Sequence, residues 1–355
     1  MVDRKVKSAQ TGAAGYSLLD SLTGAALEEL MAIAQPISFL KGAILLRQGG
    51  HTRGAFFLRM GQAQASVRLP GGESLIVAQV EEGGVIGEMA LLEHGICSAT
   101  VTALSNVDGF FIGRDDFRVL VARRSPAALV VQQAVTLNLC AKLEALNAQT
   151  LAWPTAEDAP YVGPTPRPCW MTAAKQAELT FDYRSFLPML PFFQGWDAEE
   201  IVEFSRMTVV LSVKRGQVLF HEDETADACY VTVRGAVDIA APIGVVPTHL
   251  RRMAVLGPGR LVGYRSLIEG KPHSSRARTC EDSVILALRS DQFLALYQGT
   301  DSLSYRLQNV VHGSLLRSMA QTNVLLTRLA NIAKVDAAKR KTIEAAIALQ
   351  AIYVS

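Results

Sequence analysis

The sequence predicts a mainly β protein of two similar domains, each an antiparallel barrel or jelly roll followed by a long helix. Three observations predict it. The chain has 355 residues, too many for one ordinary core and suited to two. An offset of 174 residues brings Gly42 onto Gly216, Leu45 onto Leu219, Phe57 onto Val231 and Gly61 onto Gly235. After a two-residue step the offset is 176, and Gly87 falls on Gly263 and Phe117 on Phe293. Third, each copy carries short apolar segments of period two and then an apolar stripe at helical spacing. Glycines kept in step over such a span mean one fold built twice. The two extra residues fall in the loop region between 66 and 85 and its counterpart.

The elements follow in order. Residues 1–16 read as a flexible N-terminus and 17–150 as the first domain. It opens with a short helix, LTGAALEELMAIA, for which Thr23 is the expected N-cap. The segments AILLRQ, AFFLRM, AQASVRL, SLIVAQV, ATVTAL and GFFI, parted by turn residues, read as strands. Ser125-Pro126 then starts a long helix, with Pro in its first turn and a stripe of Val131, Val135, Leu139, Leu143 and Leu146. Residues 151–184 hold Pro154, Pro160, Pro164, Pro166 and Pro168, which exclude a regular helix or central strand. This is an extended linker whose Trp153, Tyr161 and Trp170 are expected to pack on a domain surface. The second domain, 185–335, opens with WDAEEIVEFSRM, capped by Asp197. It ends in a stripe of Leu307, Val311, Leu315, Met319, Leu326 and Leu329. Residues 336–355 read as a separate short helix.

Composition narrows the function classes. An apolar fraction of 49% excludes a disordered chain, and a net charge of +2 favours neither nucleic acid nor membrane. The five cysteines (97, 140, 169, 229, 280) show no metal-ligand or disulfide spacing, which points to free thiols in a reducing compartment. The N-terminus lacks the apolar core of about 7 to 15 residues that a signal peptide needs. No stretch of about 20 residues is apolar enough to span a bilayer. A cytoplasmic protein of bacterial style is expected. No nucleophile motif, phosphate-binding P-loop or HExxH is present, and the six histidines lack metal-ligand spacing, so neither catalysis nor a metal is expected.

The motifs GAILLRQG (42–49), GEMALL (87–92), ATVTAL (99–104) and the closing DDF (115–117) resemble the cyclic nucleotide-binding domain. That superfamily includes catabolite-activator-type regulators and the regulatory subunits of cyclic-AMP-dependent kinase. The resemblance covers both repeats and is looser in the second. It implies an eight-stranded jelly roll flanked by helices in each, with residues 86–100 as the phosphate-binding cassette. In such a cassette, backbone N–H groups of a short helix meet part of the phosphate charge. A Glu beside the Gly accepts the ribose hydroxyl, and an Arg nine residues on pairs the phosphate.

The first cassette keeps Gly87, Glu88, Met89 and Ala90, but nine residues beyond Glu88 stands Cys97, followed by Ser98 and Thr100. Glu88 either binds ribose or caps its own loop, and Cys97 is read as a small filler. Arg47, Arg53 and Arg59 are the nearby cations. The second cassette keeps Gly263, has Tyr264 in place of the acid, then Arg265 and Ser266, and reaches His273 in place of the Arg. Ser274 and Arg276 follow, and Arg260, Lys271 and Arg278 add to a basic run. That run reads as a solvated face, with an altered anion site as the alternative; His273 reads as a surface histidine, or else a pH-tunable phosphate contact. Losing one partner of a buried charge pair costs about 2–5 kcal/mol, or about two to three decades of affinity.

Together these features predict a non-catalytic regulatory or scaffolding protein whose cyclic mononucleotide sites are lost or altered. The alternatives are a cyclic AMP or cyclic GMP receptor using the first domain, or a cyclic dinucleotide sensor using the second. A protein partner is expected. About 20 residues after Lys334 are too few for the winged helix-turn-helix of the family's transcription factors, so direct DNA binding is not expected. The two long stripes pack either on each other, as an internal pseudo-dimer, or across a homodimer.

Overall fold

The computed structural model describes residues 24–68, 72, 74–92, 96–152, 159–160, 182–244 and 249–353. The chain divides into two compact units that meet in sequence at Ala141 and Lys142.

The first unit opens with α1 (Ala25–Met31), which buries Leu30. Its N-cap position is Gly24 and no side chain caps it; the expected cap, Thr23, lies outside the described residues. Two four-stranded antiparallel sheets follow. One has the order β1 (Ala34–Phe39), β8 (Val107–Gly113), β3 (Gly54–Met60), β6 (Val85–Ile86). The other has the order β2 (Ile44–Leu46), β7 (Thr100–Ala103), β4 (Ala63–Arg68), β5 (Ser74–Val80). Each expected strand segment is a strand. Strand β4 alternates buried and half-buried residues along its length, as a strand with one face on a core must. Helix α3 (Arg114–Ala122) lies on β3 and β8 and buries Phe117 completely. Ser125 accepts the Ala127 N–H at 3.0 Å and so caps α4 (Pro126–Leu151).

The second unit repeats the pattern strand for strand. Its sheets run β10 (Thr208–Val213), β17 (Ser283–Arg289), β12 (Ala228–Arg234), β15 (Leu261–Val262), and β11 (Val218–Phe220), β16 (Arg276–Thr279), β13 (Val237–Ile243), β14 (His249–Leu256). A short strand β9 (Ala159–Pro160) is added at the β14 edge, so this part of the expected linker belongs to a sheet. Pro160 fits there because an edge strand has a side that needs no N–H. Of the 151–184 linker, residues 153–158 and 161–181, with Trp153, Tyr161 and Trp170, lie outside the described residues. Strands β12 and β17 are buried on both faces except at their last residue. The inner face meets the core around Tyr230 and Ile285, and the outer face is covered by helix.

Helix α5 (Ala198–Met207) carries the expected Asp197 cap, completed as a capping box by Glu200. Glu200 also takes Arg306 at 2.9 Å, which ties α5 to the start of the last helix. Ahead of α5, Phe192, Phe193 and Trp196 pack with Phe204 at centroid distances of 4.7–5.7 Å, an aromatic cluster that periodicity does not reveal. Helix α6 (Tyr264–Glu269) and helix α7 (Ser290–Gln298) follow, the latter burying Phe293 at the place of Phe117. Helix α8 runs unbroken over Ser302–Tyr353 and packs on α5, α7, β14 and β15. The separate helix expected at 336–355 is therefore the continuation of this one. The run VDAAKRKTIEAA contains no Gly or Pro and is rich in strong helix formers, so nothing stops the helix where the apolar stripe ends.

Both expected stripes are buried within a single chain, from Val131 to Leu146 and from Leu307 to Leu329. The first domain does not keep all of α4, however. Residues 142–151 belong to the second unit, where the sequence reading ended the first domain at 150. Arg251, itself 3% exposed, donates to the Thr150 carbonyl and so fixes the helix end over β14.

Candidate functional site

In each unit the cassette is a two-residue strand, a left-handed glycine and a short helix. In the first, β6 ends at Ile86, Gly87 has φ 77°, and α2 (Met89–Leu92) follows. In the second, β15 ends at Val262, Gly263 has φ 80°, and α6 follows. The positive φ favours glycine. So does space at Gly263, because a Cβ there would sit 3.1 Å from the Phe220 ring.

The positions nine residues on are equivalent in three dimensions. Cys97 N–H donates to the Gly50 carbonyl at 2.7 Å, and its carbonyl accepts from Gly49 at 2.9 Å. His273 N–H donates to the Glu224 carbonyl at 2.9 Å, and its carbonyl accepts from Asp223 at 2.8 Å. Gly49 and Asp223 both have positive φ, 78° and 61°. The 174- and 176-residue offsets thus meet across one backbone pair. Cys97 and His273 therefore occupy equivalent places in the two units.

In the first cassette, Glu88 is 4% exposed and Ala90 1%. Met89, Cys97 and Ser98 are half-buried, and the Thr100 hydroxyl accepts the Gln48 N–H at 3.1 Å. Residues 93–95 lie outside the described residues. Burial pushes the Cys97 thiol above its ordinary range, against backbone hydrogen bonds at Cys97 and Thr52 that lower it. The thiol is neutral at pH 7 and supplies no positive charge. Arg47, Arg53 and Arg59 are all exposed.

The second cassette opens onto a cavity of about 260 Å³, near the small end of ligand sites at about 300–1,000 Å³. Of the expected site residues, Gly263, Tyr264, Arg265, Ser266, His273 and Ser274 line it, whereas Arg276 does not. The basic run is not a solvated face at Arg265. Its guanidinium pairs with Glu269 one turn along α6 at 3.0 Å, with side chains only 16% and 8% exposed, and also meets the Ser274 hydroxyl. Lys271 is exposed but engaged, at 3.4 Å from Glu144 and 3.6 Å from Glu269. Glu144, then Glu269, hold its ammonium above the usual range. Nor is His273 a surface histidine. It is 3% exposed, and its ring stacks on Phe220 at 3.7 Å and 11° because the backbone pair draws it inward.

Two walls of this cavity were not anticipated. Glu144, Asn147, Ala148 and Leu151 present one face of α4, and Ser318, Gln321 and Thr322 come from α8. Thr322 meets the Asn147 side chain at 3.2 Å. The spacing 144, 147, 148, 151 is a helical face, yet nothing local says what it covers. Among the described residues, no group of three or more His, Cys, Asp or Glu is placed to share a metal ion, and no helix is long and apolar enough to cross a membrane.

Comparison with known proteins agrees with this geometry. The family model described as "Cyclic nucleotide-binding domain" matches residues 36–124 and 210–300. The chain is 29% identical over 121 residues to the cyclic AMP receptor protein of Thermus thermophilus, covering 33% of this chain and 53% of that one. It is 34% identical over 112 residues to the acetyltransferase Pat of Mycolicibacterium smegmatis, covering 31% and 33%. The chain thus spans about half or less of the length of these relatives. Among solved structures, the regulatory domain of Toxoplasma gondii cyclic-AMP-dependent kinase with cyclic AMP is 19% identical, covers 81% of this chain and 89% of that one, and gives a TM-score of 0.30. With about half the chain inside the two matched segments, each carrying the glycine-turned cassette, the protein belongs to the cyclic nucleotide-binding domain family and holds that domain twice.

Proposed function

We propose that this protein is a non-catalytic regulatory or scaffolding subunit in which neither cassette binds a cyclic mononucleotide tightly. One observation carries the reading: the backbone-paired position of the family's arginine holds a neutral thiol in the first domain and a stacked, buried imidazole in the second. A phosphodiester brought out of water there would lack its bidentate cation. The nearest guanidinium in the second site, Arg265, already has Glu269 as its partner. Such a loss costs about 2–5 kcal/mol. Any ligand that does act would do so by biasing the arrangement of the long helices that adjoin the cassettes.

Calorimetric titration of the whole protein with cyclic AMP, cyclic GMP and cyclic di-GMP tests this. No mononucleotide should saturate below about 10 μM. Restoring charge by Cys97→Arg should bring cyclic AMP binding to the first domain up by about two decades, and Glu88→Ala should take that gain away. Saturation of the unaltered protein by a mononucleotide at low micromolar concentration, or no gain from Cys97→Arg, would overturn the reading.

Within the second unit, the Thr322–Asn147 contact supports pairing of the end of α4 with α8 inside one chain over a homodimer. Light scattering on the eluting peak should therefore return a particle near 38.3 kDa. A particle of twice that mass would place the pairing between chains.

A further inference from the structure

The cavity of the second domain has a charge balance that selects its ligand. Among the described residues lining it, Arg265 is the one guanidinium or ammonium and Glu144 the one carboxylate. Each already has an ion-pair partner, Arg265 in Glu269 and Glu144 in Lys271, and Lys271 also stands 3.6 Å from Glu269. The remaining walls combine apolar side chains such as Leu143, Leu256 and Tyr264 with hydroxyl and amide groups such as Ser266, Asn147 and Gln321. A phosphate entering here would have to compete with Glu269 for Arg265, leaving a carboxylate, 8% exposed, with only the more distant Lys271 ammonium at 3.6 Å. An uncharged ligand leaves both pairs intact and gains from apolar burial and hydrogen bonds.

We propose that the second cavity binds an uncharged heterocycle bearing hydrogen-bonding groups, of nucleoside size, enclosed by residues 143–151 of α4. This rests on the reading that the site has given up cyclic mononucleotides, and adds the class of molecule that replaces them. The Arg265–Glu269 pair is the selecting element, because it removes the charge that would otherwise attract a phosphate. The α4 face gives the cavity a wall that the barrel does not supply.

The test uses ligand pairs that differ only in the phosphate: adenosine against cyclic AMP, and guanosine against cyclic GMP. Titrations of the full chain at pH 8 keep an ordinary imidazole neutral. At least one nucleoside should bind about tenfold or more tighter than its cyclic phosphate. Glu269→Gln frees Arg265 and should shift that ratio about tenfold or more toward the phosphate. Ala148→Trp fills the cavity from an exposed helix position and should abolish nucleoside binding while leaving the circular dichroism spectrum unchanged. If no nucleoside saturates by about 1 mM, this inference fails and the loss of cyclic mononucleotide binding stands. If a cyclic nucleotide binds the unaltered protein at low micromolar concentration, both fail. If nucleosides bind but neither Glu269→Gln nor Ala148→Trp alters binding, the site lies elsewhere and the inference is overturned.

Discussion

Phe117→Ala and Phe293→Ala should each lower the stability of their own unit by about 3–5 kcal/mol. Both rings are fully buried, and both sit at the same point of the repeat, on the helix that covers the two central strands of one sheet. Phe293 also packs against Tyr297 at 5.9 Å with parallel rings. Truncation removes the transfer free energy of a phenyl ring and leaves a cavity that rigid sheet on one side and helix on the other cannot close. Chemical denaturation followed by hydrogen exchange separates the units. Phe117→Ala should raise exchange in strands β3 and β8, and Phe293→Ala in β12 and β17. A loss below about 1 kcal/mol in either would mean that the helix is not packed as described.

The second large effect is a pH dependence. His312 lies on α8, 4% exposed, and burial lowers its imidazole to about 4 from an ordinary value near 6.5. The native state therefore holds it neutral over a range in which the unfolded chain binds a proton. Stability from this residue is fully present above pH 6.5 and falls as pH drops toward 4, by about 3 kcal/mol in all. Denaturant unfolding at steps between pH 7.5 and 4 measures it. His312→Leu should remove that part of the slope and leave the carboxylate-driven loss at lower pH. An unchanged slope in the variant would rule His312 out as its source.

Much of the fold could be read before the structure because its constraints are local. The paired glycines mark backbone conformations that other residues adopt at a cost, so they survive as a pattern: Gly42 and Gly216 at φ 86° and 82°, Gly61 and Gly235 at 94° and 92°. The caps at Ser125 and Asp197 are likewise set within three residues. The cassettes were legible for the same reason, and counting nine from Glu88 and from Tyr264 does reach equivalent places. What was not legible depends on distance along the chain. That α4 closes the second cavity follows from a contact between residues near 147 and residues near 322. That Arg265 already has a carboxylate partner follows from Glu269, whose i+4 spacing is visible but whose burial is not. His273 reads as polar and exposed by type, whereas in the structure it is buried, with its backbone paired to Asp223 and Glu224 and its ring stacked on Phe220.

The closeness of Arg265 to Glu269, with both side chains largely withdrawn from water, also fixes how the second domain answers to ionic strength. Mobile ions weaken attraction between charges that they can surround, within a Debye length of about 8 Å at 0.15 M. Two groups 3.0 Å apart inside the protein leave them no room. Added salt will therefore not prise the guanidinium loose, and the Arg265–Glu269 pair should hold alike in dilute and in concentrated electrolyte.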